Sequence, residues 1–378
     1  MAAEPVYLDN ASTTRVIPEV LAEMGVYLSH KYGNPSSLHI MGVEAARALD
    51  AASAALEKCV GGGEWDAVFT GSGTEANNLA IAGYAHGRRG QGIVTTAIEH
   101  ASVLEPCKLL AEKGHELIQA APGPDGIVPT DEITRHVTES TILVTIQHAN
   151  NEIGTLQPVE EIGRALKKLH PRVLLHVDAV QTAGKLDQSA AAGWADLVTL
   201  SAHKIHGPKG IGALMIRKGI GKPAPLIRGG GQQGGLRSGT ENVPGIAGFA
   251  LALKLASQSA RRSAAHLASL EETFDSAFRE TPAAGRLYRN SPHLPGFIVV
   301  GFRSIPSEVV EHAMETEGII VSSTAACSSR KARRSHVLEA TGCSEEINVI
   351  RIVPSRFTSP EEMERAALTL NRILDKLT

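Results

Sequence analysis

A chain of 378 residues exceeds what one hydrophobic core usually organises, which predicts two domains or one large domain with an appendage. With 43% hydrophobic and 20% charged residues and a formal net charge of −3, the composition is that of a soluble globular protein, and nothing global points to nucleic acid or an anionic membrane as a main partner. Four widely spaced cysteines (Cys59, Cys107, Cys327, Cys343) with no CxxC argue against a disulfide or zinc framework, so no metal site is expected and a reducing compartment, a bacterial-type cytoplasm, is the default.

In chain order, the opening MAAEPVYLDN lacks a charged-then-apolar signal pattern, and no apolar run is long enough to span a bilayer, so no membrane association is expected. DAVFTG (66–71) reads as a short strand, and TEANNLAIAGYAH after it as a helix. TILVTIQ (141–147) and RVLLHVD (172–178) have the compact Val/Ile/Leu character of strands buried on both faces. Between them, PVEEIGRALKKLH (158–170) spaces Ile162, Leu166 and Leu169 as a helix does, with acids early and bases late, as the helix dipole favours. Strand, helix, strand at this spacing indicates a βαβ unit and a mostly parallel sheet. ADLVTLS (195–201) adds another strand. The last third differs, with helical stretches over roughly 243–280 and 359–377 around short strands such as GFIVVGF (296–302) and GIIVSST (318–324). Ser359 as cap, Pro360 at the first position and Glu362 closing a capping box announce the final helix. The expected boundary falls near 250–265, and the sequence pattern alone leaves the N-terminal segment open to either domain; the division expected is a large domain over 15–255 and a smaller one from 1–14 with 256–378.

Four segments hold chemistry. GSGTEANN (71–78) is either a plain tight turn or an anion site, in which backbone N–H groups at a helix N-terminus and the Thr74 hydroxyl face a ligand. It is neither a Walker loop nor a full GxGxxG, so a single phosphate suits it better than a dinucleotide. Asp178 ends a buried strand, where ligands cluster in parallel sheets, and its carboxylate there is either a helix cap or the partner of a ligand. Ser201, His203 and Lys204 follow the next strand. Lys204 either lies in a solvated loop or is partly buried, and burial would lower its pKa and leave an amine usable for a Schiff base. Phosphate cradle, carboxylate and lysine together are what pyridoxal phosphate needs. In STAACSSRKARRSH (323–336), Cys327 precedes Arg330, Lys331, Arg333 and Arg334, which reads either as a reactive thiol or as an ordinary cysteine beside a solvated basic loop.

LDNASTT (8–14), YGNPSSLH (32–39), FTGSGTEANN (69–78), EHAS (99–102), ANNEIGT (149–155), HVDAVQ (176–181), SAHKIHGPKG (201–210), RSGTEN (237–242) and SSTAACSS (322–329) run in this order along nearly the whole chain. They resemble the cysteine desulfurases of the NifS/IscS type, members of the class V aminotransferase family. The resemblance implies the α/β fold-type I architecture of pyridoxal-phosphate enzymes. In it a mostly parallel seven-stranded sheet is flanked by helices, and a smaller α+β C-terminal domain carries a catalytic cysteine loop at about 322–336. It implies pyridoxal 5'-phosphate as cofactor, L-cysteine as substrate, a homodimer, and a sulfur-acceptor or scaffold protein as partner, with no direct nucleic-acid contact.

Carried over residue by residue, the resemblance makes Lys204 the Schiff-base lysine and Asp178 the partner of the pyridine nitrogen. His100 becomes the imidazole on the ring. Gln181 and one of Asn150 and Asn151, with spacing from His100 favouring Asn151, become contacts to ring hydroxyl and substrate. Gly73, Thr74, Ser201 and His203 become phosphate ligands, with Thr240 expected from the second subunit. Arg356 in PSRFT aligns with the arginine that clamps the substrate carboxylate. Pro354 and Ser355 stand where the family often has a leucine–glycine pair, which leaves Arg351 as reserve. Cys327 matches the nucleophile. Lys204 or His100 would take the substrate's α-proton, and the Cys327 thiolate would attack its sulfur to leave alanine and a persulfide, after which the cysteine's loop must move to deliver the sulfur. Iron–sulfur assembly, tRNA thiolation, cofactor synthesis and DNA phosphorothioation are the destinations such enzymes serve. Rival readings are a selenocysteine lyase, a transaminase of the same fold, which needs no such cysteine, and a non-catalytic sulfur-transfer scaffold, which has no reason to keep Lys204, Asp178 and His100. The segment after Cys327 is more basic than the family's usual one, which suits an acidic partner, a nucleic-acid-associated acceptor or solubility.

Overall fold

The computed structural model describes residues 4–61, 63–88, 90–323 and 334–377. Its strands are β1 (Val6–Tyr7), β2 (Trp65–Thr70), β3 (Gly92–Thr96), β4 (Glu116–Ala120), β5 (Thr141–Gln147), β6 (Leu174–Asp178), β7 (Leu197–Ser201), β8 (Gly212–Arg217), β9 (Ala284–Leu287), β10 (Ile298–Arg303), β11 (Ile319–Ile320), β12 (Ser322–Ser323) and β13 (Ile347–Ile352). Seven form the main sheet in the order β2-β8-β7-β6-β5-β3-β4. Its pairings are parallel except those of β8, which runs antiparallel to both β2 and β7. All seven residues of TILVTIQ are buried, as the apolar run predicts for a strand covered on both faces. Neighbours on one strand alternate between two apolar clusters: Ala213 and Met215 join the layer containing Phe249 and Ile162, whereas Leu214 and Ile216 join the layer containing Leu79 and Val103. The sheet is thus sandwiched between helices.

The helix predicted over 158–170 spans Val159–Leu169, with Val159, Ile162, Gly163 and Leu166 buried. Within the sheet, His176 stands between two threonines, its Nδ1 2.7 Å from Thr145 Oγ1 and its Nε2 2.9 Å from Thr199 Oγ1. Burial lowers its pKa to about 4, so it is a neutral interior group.

A second sheet, antiparallel in the order β12-β13-β10-β9, packs with the C-terminal helix Pro360–Leu377 around Phe274, Phe302, Val310, Ile350, Ile352 and Leu370. The capping box is present: Ser359 N–H donates to Glu362 Oε2 at 2.7 Å, and Glu362 N–H to Ser359 Oγ at 3.2 Å. The long helix Val243–Ala277 runs from one core to the other, with Phe249 and Leu253 in the first and Leu270 and Phe274 in the second. One expectation is corrected: GIIVSST is not a single strand. Ile319–Ile320 pairs with β1, while Ser322–Ser323 joins β13, so the chain changes sheets at Val321.

The N-terminal segment follows β1 across this second unit. Asn10 Nδ2 donates to Val353 O at 3.0 Å, and Thr14 Oγ1 to His203 O at 2.8 Å, so residues 10–14 lie beside the end of β7. Strand β8 passes close under the turn that follows β2: a Cβ at Gly212 would stand 2.5 Å from Ser72 C and 2.7 Å from Gly73 N. Only glycine fits there, because both neighbours are backbone. Gly212→Ala is therefore expected to destabilise the fold by about 1–3 kcal/mol and to displace the 71–74 turn, read as a lowered unfolding midpoint together with weakened cofactor retention.

Candidate active site

The C-terminal ends of β5, β6 and β7 and the start of the helix Gly73–Ala85 enclose a pocket of about 300 Å³, at the place where open α/β sheets bind ligands. Asp178, the last residue of β6, is buried at its floor. Its Oδ2 accepts from Asn77 Nδ2 at 2.7 Å, and its Oδ1 from Val180 N–H at 3.0 Å. The second N–H of Asn77 reaches Ser102 Oγ at 2.8 Å, and that hydroxyl lies 2.8 Å from His100 Nδ1. Ser102 N–H also points at His100 Nδ1, at 3.1 Å, because His100 caps the helix Ala101–Glu112. Nδ1 is thus the acceptor, and the neutral ring carries its proton on Nε2. His100 opens onto the pocket but is otherwise enclosed by protein, and that enclosure lowers its pKa, with Asp178 opposing.

Lys204 lies in the single turn Ala202–Lys204 directly after β7. Its Nζ donates to the carbonyls of Ala11 at 2.5 Å and Ser12 at 2.8 Å, and Gln181 Nε2 shares the Ala11 carbonyl at 3.0 Å. His203 is held neutral, its pKa pushed down to about 4 by burial and then by the Lys204 cation.

Of the residues expected from sequence, Gly73, Thr74, His100, Asn151, Asp178, Gln181, Ser201, His203 and Lys204 all line this pocket. Asn150 does not. It is fully buried, its Nδ2 donating to Ile98 O and its Oδ1 accepting from the N–H groups of Glu152 and Ile153, so it shapes the turn rather than facing a ligand. Thr240 is exposed and away from the pocket. Arg356 is corrected as well: it lies in the turn from Ser355 to Thr358 and reaches the helix Val243–Ala277, where Nη1 donates to Ser259 Oγ at 2.9 Å. The guanidinium in the pocket is that of Arg351, held by Asp9 Oδ1 and Ser12 Oγ, both at 2.7 Å, and by Asn151 O at 2.6 Å. Cys327, Arg330, Lys331 and Arg333 lie outside the described residues. Arg334 is engaged with its own chain, donating to the carbonyls of Cys343 and Ser344.

Asn77, Ser102 and Asp9 are contributors that residue-by-residue reasoning missed. A signal for Asn77 was available, since it stands four residues after Gly73 and so on the same face of the helix.

Behind the pocket, Glu99 is completely buried. Its Oε1 accepts from Thr96 Oγ1 at 2.6 Å and Gln147 N–H at 3.0 Å, whereas Oε2 has no partner among the described residues. Burial, the largest influence, raises its pKa to about 8, so it is a neutral acid with its proton on the unpaired oxygen. A carboxyl raised in the folded state binds a proton that the unfolded chain has released. Its stability contribution is full below the ordinary carboxylate pKa and is lost as pH rises toward about 8. Glu99→Gln keeps the shape without the titration. The variant is expected to gain stability over the parent progressively between about pH 5 and pH 8, as measured by denaturant midpoints across that range.

Comparison with known proteins supplies the family. The class-V aminotransferase pattern matches residues 6–365. The cysteine desulfurase IscS of Dictyoglomus turgidum is 38% identical over 380 residues, covering 98% of this chain and 95% of that protein. A solved NifS-like protein superposes with a TM-score of 0.91 at 38% identity, covering 99% of this chain and all of that one. SspA, solved in complex with cysteine, superposes at 0.80 with 31% identity, covering 94% of this chain and all of that one. A pocket with a carboxylate, a lysine and a glycine-opened helix start, in a chain matched along nearly its whole length by these proteins, places it in the class-V aminotransferase family, among the pyridoxal-phosphate-dependent cysteine desulfurases.

Proposed function

We propose that the chain takes sulfur from L-cysteine, leaving L-alanine, and holds that sulfur as a persulfide on Cys327 for delivery to an acceptor protein. The observation that carries this reading is the gathering of Asp178, Lys204, His100 and Arg351 around one pocket with polar atoms left to spare. Ser201 Oγ, Gln181 Oε1 and Asn77 Oδ1 are buried, belong to pocket-lining residues and have no hydrogen-bond partner among the described residues. Buried polar atoms of this kind call for a ligand's polar groups. A Cβ at Gly73 would press within 3.0 Å of Val180 Cγ2 and 3.3 Å of Ser201 Cβ, so the missing side chain keeps the cradle open. The residues therefore fit pyridoxal phosphate: Gly73, Thr74, Ser201 and His203 for its phosphate, Asp178 for its ring nitrogen, Gln181 for its hydroxyl, and Lys204 for its aldehyde.

When bound, the cofactor supplies an electron-withdrawing ring that weakens bonds at the substrate's α- and β-carbons. The chain's own groups do the rest. Arg351, with its donors pre-aligned by Asp9, Ser12 and Asn151 O, takes the substrate carboxylate. Lys204 Nζ accepts and returns the α-proton once free of the Ala11 and Ser12 carbonyls, with His100 beside it holding a proton at Nε2. The Cys327 thiolate attacks the substrate sulfur. The C–S bond breaks with its electron pair on carbon, which takes up a proton, and the sulfur stays on Cys327.

A homodimer is supported by a run of exposed apolar side chains, Leu21, Leu28, Tyr32, Leu38 and Ile40, at 61% to 98% exposure, and Thr240 is free on the surface to serve a second copy's pocket. A division into a large unit over 15–255 and a small one from 1–14 with 256–378 is supported by a second apolar core drawn only from the latter residues, although Leu294, Val299, Val337 and Val349 pack into the first core. No helix among the described residues is long and apolar enough to cross a membrane, which suits a cytoplasmic enzyme. Iron–sulfur assembly is the acceptor pathway that best fits relatives named IscS.

Two outcomes test this reading. Arg351→Gln should raise KM for L-cysteine by at least about 30-fold, the lower end of what losing one partner of a buried charge pair costs, while Arg356→Gln leaves KM unchanged. Steady-state kinetics on both variants checks the assignment. Cys327→Ser should retain the cofactor's visible absorption and its spectral response to L-cysteine but release no sulfide. A serine variant with parental turnover would remove Cys327 from the mechanism, and a parent that shows no visible band when supplied with cofactor would remove the enzyme reading itself.

A further inference from the structure

Desulfurase chemistry leaves Arg356 without a task. The residue is nevertheless well anchored. Ser259 Oγ accepts from its Nη1 at 2.9 Å while the same hydroxyl donates to the carbonyls of Leu255 and Ala256, and the guanidinium lies over the Phe357 ring, 5.0 Å from its centroid. A guanidinium has five N–H donors, and Ser259 takes one of them. No carboxylate among the described residues lies within ion-pair distance of Arg356, whereas Arg237, Arg286, Arg303 and Arg372 all find one. Arg262, one turn further along the helix Val243–Ala277, and Arg15, from the segment before the helix Pro18–Ser29, line the same cleft. Neither has a carboxylate partner among the described residues. The cleft measures about 610 Å³, and Glu19, exposed at its edge, is the one acid lining it. His266 turns its Nε2 to Thr358 O at 2.9 Å and is occupied there.

Burial, the largest influence, works against the charge on Arg356; Glu19 opposes it, and Arg262, a second cation on the same cleft, adds a smaller repulsion. An anion in the cleft relieves this repulsion. A carboxylate offers two acceptor oxygens, whereas a phosphoryl group offers three and takes forked donors from several directions. The volume falls within the range of small-molecule sites. We propose that this cleft, separate from the cofactor pocket, binds a phosphate-bearing small molecule through Arg15, Arg262 and Arg356.

The test is calorimetric titration of inorganic pyrophosphate, and in parallel inorganic phosphate, into the holoenzyme in chloride buffer, the bound cofactor keeping its own phosphate cradle filled. Saturable binding of pyrophosphate at one site per chain is expected. It should weaken at least about tenfold in the Arg262→Gln/Arg356→Gln double variant, since hydrogen bonds to charged groups are each worth about 1.5–3 kcal/mol. Glu19→Gln should tighten it about 2–5-fold, and Arg261→Gln, a neighbouring exposed arginine outside the cleft, should leave it unchanged. Unaltered cofactor absorbance and unfolding midpoints establish that the variants are folded. Absence of saturable binding at millimolar pyrophosphate, equal affinity in the double variant, or binding of an acidic peptide where pyrophosphate fails would each overturn the proposal.

Discussion

Asp178 sets the terms for everything around it. A carboxylate at the buried end of a strand costs several kcal/mol unless donors meet it, and here they come from Asn77 and the Val180 N–H. That demand places Asn77 on the inner face of the helix Gly73–Ala85, which in turn fixes the turn at 71–73 against β8, where Gly212 has room for no side chain. The same Asn77 amide passes the arrangement on to Ser102 and through it to His100, so that the tautomer of the histidine follows from the placement of a carboxylate on another strand.

Around this carboxylate the site keeps most of its other titratable groups neutral. His203 is pressed down by burial and by Lys204, and Glu99 is pressed up by burial. The cations that remain, Lys204 and Arg351, are each tied to the N-terminal segment, the first through the carbonyls of Ala11 and Ser12 and the second through Asp9 and Ser12. Few free charges in a small pocket mean that the field felt by a ligand comes from Asp178, Lys204 and Arg351.

Much of this was legible in the sequence because it is local. Strand runs such as TILVTIQ, the dipole-matched helix at 158–170 and the Ser359–Glu362 capping box are decided by residues within one or two turns of each other. The ordered motifs brought Gly73, Asp178, Ser201 and Lys204 to one pocket because each sits at, or three residues beyond, the end of a strand of the same sheet. What was not legible depends on long-range geometry. Arg356 was preferred over Arg351 by its surroundings in PSRFT, yet alternation in INVIRI held the answer: Ile350 and Ile352 face the second core, so Arg351 between them must face away from it, toward the pocket. Asn150 and Asn151 are adjacent and chemically identical, and only the fold shows which of them is consumed by the turn. The split of GIIVSST between two sheets follows from its pairing with β1 and β13, segments hundreds of residues and a few tens of residues away.

The attachment of the N-terminal segment has a consequence for the order in which the molecule is made. Residues 6–14 are made before their partners, which are Gln181, His203 and Lys204 in mid-chain and Ile319, Ile320, Arg351 and Val353 much later. Until β11 and β13 have been synthesised, β1 has no strand to pair with, and Asp9 and Ser12 have no Arg351 to hold. The main sheet can form on the nascent chain, whereas the pocket gains its guanidinium only after β13 exists. The groups proposed to hold the cofactor, from Gly73 to Lys204, are thus made before Arg351, the group proposed to hold the substrate carboxylate, so the substrate's half of the site is the last to be completed.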